Sequence, residues 1–236
     1  METRNDVMSS PCFIDSIQAS LKLRLTKTDQ AACWLCSNSI RSSKGCNLNY
    51  APAAEIIGYL MEFSKNSSSP QILMDTFNGI FFFLAVENEM DKRIEHLIGL
   101  GVLNMCREYI GSSNDEILKM TMNVLCAVSR YEGQLSDSLC APALTNEIIK
   151  IAKAFPQDMI RSLAFEIIGN MVNGTPKMRN SVIRNETEIF KPCIECLMVG
   201  SPSLRLQVLE FLGCYFLLET SPEMLRGVLD SNPDVI

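Results

Sequence analysis

Two cysteine pairs have the spacing of metal or redox motifs. Cys33 and Cys36 form a CxxC sequence that Cys46 follows within ten residues, and Cys193 and Cys196 repeat the spacing. A structural zinc ion needs four ligands, and no second CxxC stands near the first pair. Since helical phase already places one cysteine of the first pair in a core, the sequence predicts small buried thiols. We therefore expect no metal and no cofactor.

Acid–base and nucleophilic chemistry has few candidate groups. His96 is the only histidine, and it lies in KRIEHLIGL without an Asp or Ser at partner spacing. A Ser or Cys nucleophile needs a positioned base. No Gly-rich phosphate-binding motif follows a strand, and no stretch is typical of a strand. The sequence predicts that the protein is not an enzyme.

Side chains at matching positions of five apolar stretches form the strongest candidate site. One residue of each stretch defines a reference position, and these residues are Trp34, Asn78, Asn123, Glu166 and Glu210. They are 44, 45, 43 and 44 residues apart, which indicates a repeat solenoid. A second position four residues later faces the same way on a helix. It holds Asn38, Phe82, Ala127, Asn170 and Cys214. We call these two positions together the row.

A long helix must hold each reference position, and the sequence predicts a short, a medium and a long helix in every repeat. Capping residues stand nine residues before the reference position, at Ser69, Asn114, Gln157 and Ser201. We predict an all-α, right-handed superhelical solenoid of about four to five three-helix repeats. Residues 1–11 are expected to be disordered, and 12–236 to form one domain. Its approximate repeats are 12–53, 54–101, 102–143, 144–186 and 187–231.

Composition narrows the classes of partner. The net charge is -6, and Lys and Arg are scattered singly, which argues against a nucleic-acid-binding surface. The first twenty residues contain no apolar signal core, and the apolar runs are far below the roughly 20 residues that span a bilayer. We expect a soluble, monomeric protein of the cytoplasm or nucleus, with reduced thiols and with neither membrane nor nucleic acid as partner.

A three-helix unit of this length resembles the armadillo repeat, and it is most similar to the importin-alpha branch. The resemblance rests on Trp34 and Asn38 in ACWLCSNSI, on IGNMVNGT at 168–175 and on joints such as LIGLG. In that family the long third helices line a concave groove that holds an extended peptide. An Asn binds the peptide backbone, and Trp faces receive the stems of Lys or Arg. The resemblance thus implies a peptide-binding adaptor with import-adaptor ancestry and a role in nuclear transport of cargo.

The chain departs from the family's pattern in two ways. Only Trp34 and Asn38 match both positions of the Trp and Asn pair, so most of the aromatic slots are missing. The family's adaptors also carry an Arg- and Lys-rich amino-terminal segment, whereas the first 30 residues here contain only Arg4, Lys22, Arg24 and Lys27. Both departures argue against a complete import cycle.

Two interpretations of the row remain open on sequence grounds. One is a groove for an extended segment, lined by Trp34, Asn38, Asn78, Asn123, Glu166, Asn170 and Glu210. The other is the solvated face of amphipathic helices, with Trp34 packed on a terminal helix. Phe82 is either an anchor for a partner or, as we favour, a core residue beside Phe81 and Phe83.

The function that fits best is a scaffold or adaptor that binds an extended segment of a partner protein. One alternative is an armadillo-type co-chaperone that clamps an Hsp70 and speeds nucleotide exchange. Another is a structural subunit whose apolar end, at Leu225, Val228 and Leu229, contacts a further subunit. We also expect residues 222–231 to fold back as a cap on the last repeat.

Overall fold

The computed structural model describes residues 4–41, 48–67, 69–86, 89–131 and 134–217. These residues form thirteen α-helices and one 3-10 helix, and no strand. The predicted all-α class is confirmed. None of the helices in the described ranges is both long enough and apolar enough to span a membrane. The predicted cap at 222–231, with Leu225, Val228 and Leu229, lies outside the described residues.

The contacts between helices divide the chain into two units. Unit 1 comprises Met1–Met105 and Ser112–Val124, and unit 2 comprises Cys106–Gly111 and Leu125–Ile236. Helices α7 (Val102–Tyr109) and α8 (Asp115–Ser129) contribute residues to both units. A single domain over 12–236 stays a prediction.

Unit 1 is built around two long helices that lie side by side. Its helices before α7 are α1 (Arg4–Met8), α2 (Pro11–Leu23), α3 (Thr26–Ile40), α4 (Tyr50–Lys65), α5 (Pro70–Leu84) and α6 (Met90–Gly99). Helix α3 packs along α5, and α4 packs against both. Gly79 allows the close approach of α5 to α4, because a Cβ atom there would lie 2.3 Å from Leu60 Cδ1.

The amino terminus is more ordered than the sequence predicts. Residues 4–8 belong to the stretch expected to be disordered, yet they form α1. Met8 is fully buried, and Asn5 Oδ1 accepts a hydrogen bond from the backbone N–H of Asn49 at 3.1 Å. One apolar side chain and one amide thus hold this short helix in unit 1.

Unit 2 contains two sets of a short, a medium and a long helix. After a 3-10 helix (Gln134–Cys140) come α9 (Pro142–Ala154), α10 (Asp158–Asn173), α11 (Pro176–Ile183), α12 (Glu186–Val199) and α13 (Pro202–Leu217). The long helices α10 and α13 pack along each other, and α9 and α12 pack against them. The core between them holds an aromatic cluster of Phe165, Phe190, Phe211 and Tyr215.

The long helices begin where the sequence predicts. Helices α5, α8, α10 and α13 each start at the residue after the proposed cap. Asn114 Oδ1 accepts from the N–H groups of Glu116 and Ile117 at 3.0 and 3.2 Å. Ser201 Oγ accepts from the N–H of Leu204 at 3.4 Å. The side chains of the other two predicted caps make no capping hydrogen bond, and proline at the first helical position sets the start of α5 instead.

Candidate functional site

The Trp34 side chain is exposed to solvent on α3, and the opposite side of this helix is buried. The Cys33 Sγ atom lies 3.6 Å from the Ile72 carbonyl oxygen and 3.7 Å from Thr76 Oγ1, both on α5. Cys33 and Cys36 are fully buried, whereas Trp34 is 57% exposed. The alternative of a packed Trp is therefore wrong. The only tryptophan of the protein is thus more than half exposed.

Two amides of the unit 1 row have a polar contact within their own helices. Asn38 Nδ2 donates to the Trp34 carbonyl oxygen at 2.8 Å, one turn earlier on α3. Asn123 Nδ2 lies 4.0 Å from Met120 Sδ on α8. Asn38, Asn78 and Asn123 are all half-buried. Each amide thus stays at the surface of its helix.

The three consecutive phenylalanines of α5 have three different environments. Phe83 is fully buried, Phe82 is half-buried and Phe81 is 43% exposed. The rings of Phe81 and Phe82 meet edge to face, with centroids 5.7 Å apart. The Arg41 guanidinium carbon lies 5.6 Å from the Phe82 ring centroid. Phe82 thus lies between the two interpretations, because only Phe83 of the three is fully buried and a helix can bury only one side of such a run.

A buried carboxyl group lies one turn before Asn78 on α5. Asp75 is almost fully buried and accepts a hydrogen bond from Gln71 Nε2 at 3.2 Å. Burial raises the pKa of this carboxyl above its ordinary value, although the Gln71 amide partly opposes the shift. Asp75 is not among the residues predicted from the sequence. It could have been predicted, because it stands three residues before the reference position Asn78 on the same helix.

The unit 2 row is joined to the end of α8. Glu166 forms an ion pair with Arg130, and Asn170 Nδ2 donates to Ser129 Oγ at 2.9 Å. The hydrogen bond that Arg130 donates to the Glu166 carboxylate raises the pKa of the Arg130 guanidinium. Ser129 in turn donates to the Cys126 carbonyl oxygen at 2.7 Å. Both predicted site residues on α10 thus have partners outside their own helix.

On α13 the row is more open. Glu210 is exposed, and its Oε2 accepts from Gln207 Nε2 of the same helix at 2.9 Å. Cys214 Sγ accepts from Asn173 Nδ2 of α10 at 2.9 Å. Glu166 and Glu210 therefore give unit 2 two carboxylates in the row, where unit 1 has aromatic rings and amides.

The cysteine pairs and the histidine have structural roles. Cys33, Cys36, Cys193 and Cys196 are all buried, which confirms the prediction of small core side chains. Burial raises the pKa of Cys33 to about 12. The His96 Nε2 atom lies 3.1 Å from the Ala54 carbonyl oxygen on α4. The Cys196 Sγ atom accepts a hydrogen bond from the Arg161 guanidinium at 2.7 Å.

Three residues that the sequence analysis missed contact the row. They are Arg41, Arg130 and Asn173, which reach Phe82, Glu166 and Cys214 respectively. Each stands seven residues after a reference position, and seven residues make about two helical turns. The repeat phase could have found them, because this spacing returns to the same helix face.

Comparison with known proteins identifies the fold. No family model and no curated protein matches the chain. Among solved structures, a computationally designed armadillo repeat protein for modular peptide recognition has a TM-score of 0.69 at 16% identity, over 85% of this chain and 80% of its own. A designed armadillo repeat protein in complex with the peptide (KR)4 has a TM-score of 0.66 at 13% identity, over 89% and 86%. An engineered protein has a TM-score of 0.68 at 12% identity, over 91% and 86%.

The fold is an armadillo repeat solenoid. This confirms the predicted architecture, in which a unit of three helices recurs along the chain. The likeness concerns the fold alone, so an importin-alpha ancestry stays a prediction.

Proposed function

We propose that the protein is a non-enzymatic scaffold that binds an extended segment of a partner protein on the rows of its long helices. The exposure of Trp34 carries this proposal. A large aromatic ring that is exposed to water lacks the free energy of burial until a partner covers it. Trp is also among the residues that contribute most to binding energy at protein interfaces.

The amides of unit 1 supply the polar part of such a site. An extended segment carries backbone N–H and C=O groups that have no partner within the segment. The carboxamides of Asn38, Asn78 and Asn123 offer both donors and acceptors at the surface of their helices. Aromatic contact beside backbone-directed amides favours a peptide over a folded globular surface.

The structural neighbours support the same ligand class. One is a design for modular peptide recognition, and another is in complex with (KR)4. A narrower form of the proposal is an importin-alpha-like adaptor for nuclear transport of cargo, monomeric and present in the cytoplasm or nucleus. The Trp34 and Asn38 pair supports this form. This narrower proposal is wrong if peptide segments that bind the protein do not direct a fluorescent reporter protein, to which they are fused, into the nucleus.

Selection of displayed random dodecapeptides against the full chain tests the proposal. We expect enriched peptides whose affinity, measured by fluorescence anisotropy, falls about 30-fold in Trp34→Ala, or ~2 kcal/mol. Leu23→Ala is the matched control, because Leu23 is an exposed apolar residue of unit 1 on α2. The proposal is wrong if no peptide is enriched, or if both variants weaken binding equally.

A further inference from the structure

Two arginines stand at the same position of different repeats. Arg41 follows Trp34 by seven residues, and Arg130 follows Asn123 by seven residues. Arg41 comes directly after α3, and Arg130 directly after α8. Each side chain reaches a row residue of the next long helix within its own unit. This inference rests on the proposed function and concerns the chemistry of the bound segment.

In unit 1 the arginine occupies an aromatic face. The Arg41 guanidinium carbon is 5.6 Å from the centroid of Phe82, which is within the range of a cation–π interaction. Arg41 itself is exposed. The position that the positively charged side chain of a bound segment would take on this ring is therefore already filled by the protein's own arginine.

In unit 2 the arginine forms an ion pair with a carboxylate of the row. Arg130 pairs with Glu166, and the side chains are 64% and 23% exposed. A guanidinium has five N–H donors, so Arg130 keeps donors for a further acceptor while it neutralises Glu166. A Lys or Arg of a bound segment would have to displace it before pairing with Glu166.

The residue at this position differs among the remaining long helices. On α10 it holds Asn173, whose amide donates to Cys214 of α13. On α5 and α13 it holds Ala85 and Leu217, which have no polar side-chain group. Among the five long helices, a basic residue stands seven residues after the reference position only at Arg41 and Arg130.

We propose that Arg41 and Arg130 fill the two cation-binding positions of the rows and thereby set ligand selectivity. The bound segment presents uncharged or acidic side chains at these places, and a run of Lys and Arg is disfavoured. Guanidinium donors that point away from Glu166 can pair with a carboxylate of the segment. The row of this protein thus differs in charge selectivity from one that binds a basic peptide.

Binding of a synthetic (Lys-Arg)4 peptide to the full chain tests the inference. We expect weak binding to the wild type and about a five-fold gain in affinity for Arg130→Gln, because an internal competitor at Glu166 is removed. Arg41→Gln should give about a three-fold gain, since an exposed cation–π contact is weaker. The gain of Arg130→Gln should disappear in the double variant Arg130→Gln/Glu166→Gln.

Arg184→Gln is the matched control for charge. Arg184 is exposed at the end of α11, which is not a long helix, and its replacement changes the net charge by the same amount. The inference is overturned if Arg130→Gln gains no more than Arg184→Gln, or if the gain survives loss of Glu166. Peptides from the display selection separate the two proposals. If they bind while (Lys-Arg)4 affinity does not respond to Arg130, only this inference fails; if none binds, the proposed function fails.

Discussion

The same repeat positions are used differently in the two units. In unit 1, Asn38 is bonded to its own helix and Trp34 is exposed. In unit 2, Asn170 is bonded to Ser129 and Glu166 is paired with Arg130, so both are tied to the end of another helix. A row position can thus either present a side chain to a partner or join neighbouring repeats.

This difference has an energetic consequence for binding. A ligand that engages the unit 1 row displaces water from the exposed Trp34 ring. A ligand that engages the unit 2 row must compete with hydrogen bonds that already exist, and the net gain from exchanging one hydrogen bond for another is small. We therefore expect unit 1 to contribute most of the binding energy. The same contrast predicts that equivalent substitutions in the two units change the free energy of unfolding by different amounts.

The largest expected effect separates the aromatic residues of the two units. Phe211 is fully buried on α13, with ring centroids 6.1 Å from Phe165 and 6.3 Å from Phe190. Phe211→Ala should lower the free energy of unfolding by ~3–5 kcal/mol, because it removes apolar contacts and leaves a cavity. Phe81→Ala should cost ~1 kcal/mol or less, since Phe81 is 43% exposed. Urea unfolding of both variants measures the difference.

The two phenylalanine variants also control for each other. The chemical change is identical, so only the surroundings of the ring differ. Similar losses in both would mean that Phe81 is packed in solution as tightly as Phe211, and the contrast between these two rings would no longer hold.

A smaller effect separates the two asparagines at the second row position. Asn170→Ala should cost ~1 kcal/mol, because it removes the hydrogen bond to the buried Ser129 hydroxyl. Asn38→Ala should change stability by less than ~0.5 kcal/mol, because only a contact within α3 is lost. Thermal or urea unfolding measures both variants. Equal losses of stability would contradict the view that the Asn170 amide joins two helices whereas the Asn38 amide contacts only its own helix.

The helices could be predicted from the sequence because their signals are local. Apolar residues at helical spacing define the buried stripe of α4, where Ile56, Ile57, Leu60 and Met61 are all buried. Helix starts follow from residues that favour the first turn, such as Asn114 and Pro202. The repeat spacing then supplied the architecture, since it requires only that equivalent helices recur.

The contacts of the row could not be predicted in the same way. Whether Asn170 bonds to Ser129 or remains within its helix depends on how closely α8 and α10 approach, which no local pattern records. Residues 81, 82 and 83 are all phenylalanine, so residue type cannot tell them apart. The position of α5 against its neighbours decides which of the three rings is buried. The buried carboxyl of Asp75 was missed because charge alone predicts exposure.

Two carboxyl groups give the units opposite responses to pH. Burial raises the pKa of Asp75 above the ordinary 3.8, so the folded state binds its proton more tightly than the unfolded state. Ionised Asp75 therefore opposes folding at neutral pH, and this opposition fades as the pH falls through the raised pKa. Asp158 accepts a hydrogen bond from the backbone N–H of Ser201 at 2.7 Å, which lowers its pKa below 3.8. The stabilisation of the folded state by ionised Asp158 is fully present at pH values above about 3.8. It is lost as the pH falls through the lowered pKa.

Replacement of each aspartate by asparagine should therefore change stability in opposite directions. Asp75→Asn should raise the free energy of unfolding at neutral pH, and the gain should be gone once the pH is below the unfolded value of about 3.8. Asp158→Asn should lower it at neutral pH, with a deficit that shrinks only in stronger acid. Urea unfolding from neutral pH to about pH 3 follows both, and Asp15→Asn, at an exposed position of α2, controls for the loss of one charge. If Asp75→Asn destabilises at neutral pH, the ionised carboxylate favours the folded state, and the predicted contrast between the two carboxyl groups is wrong.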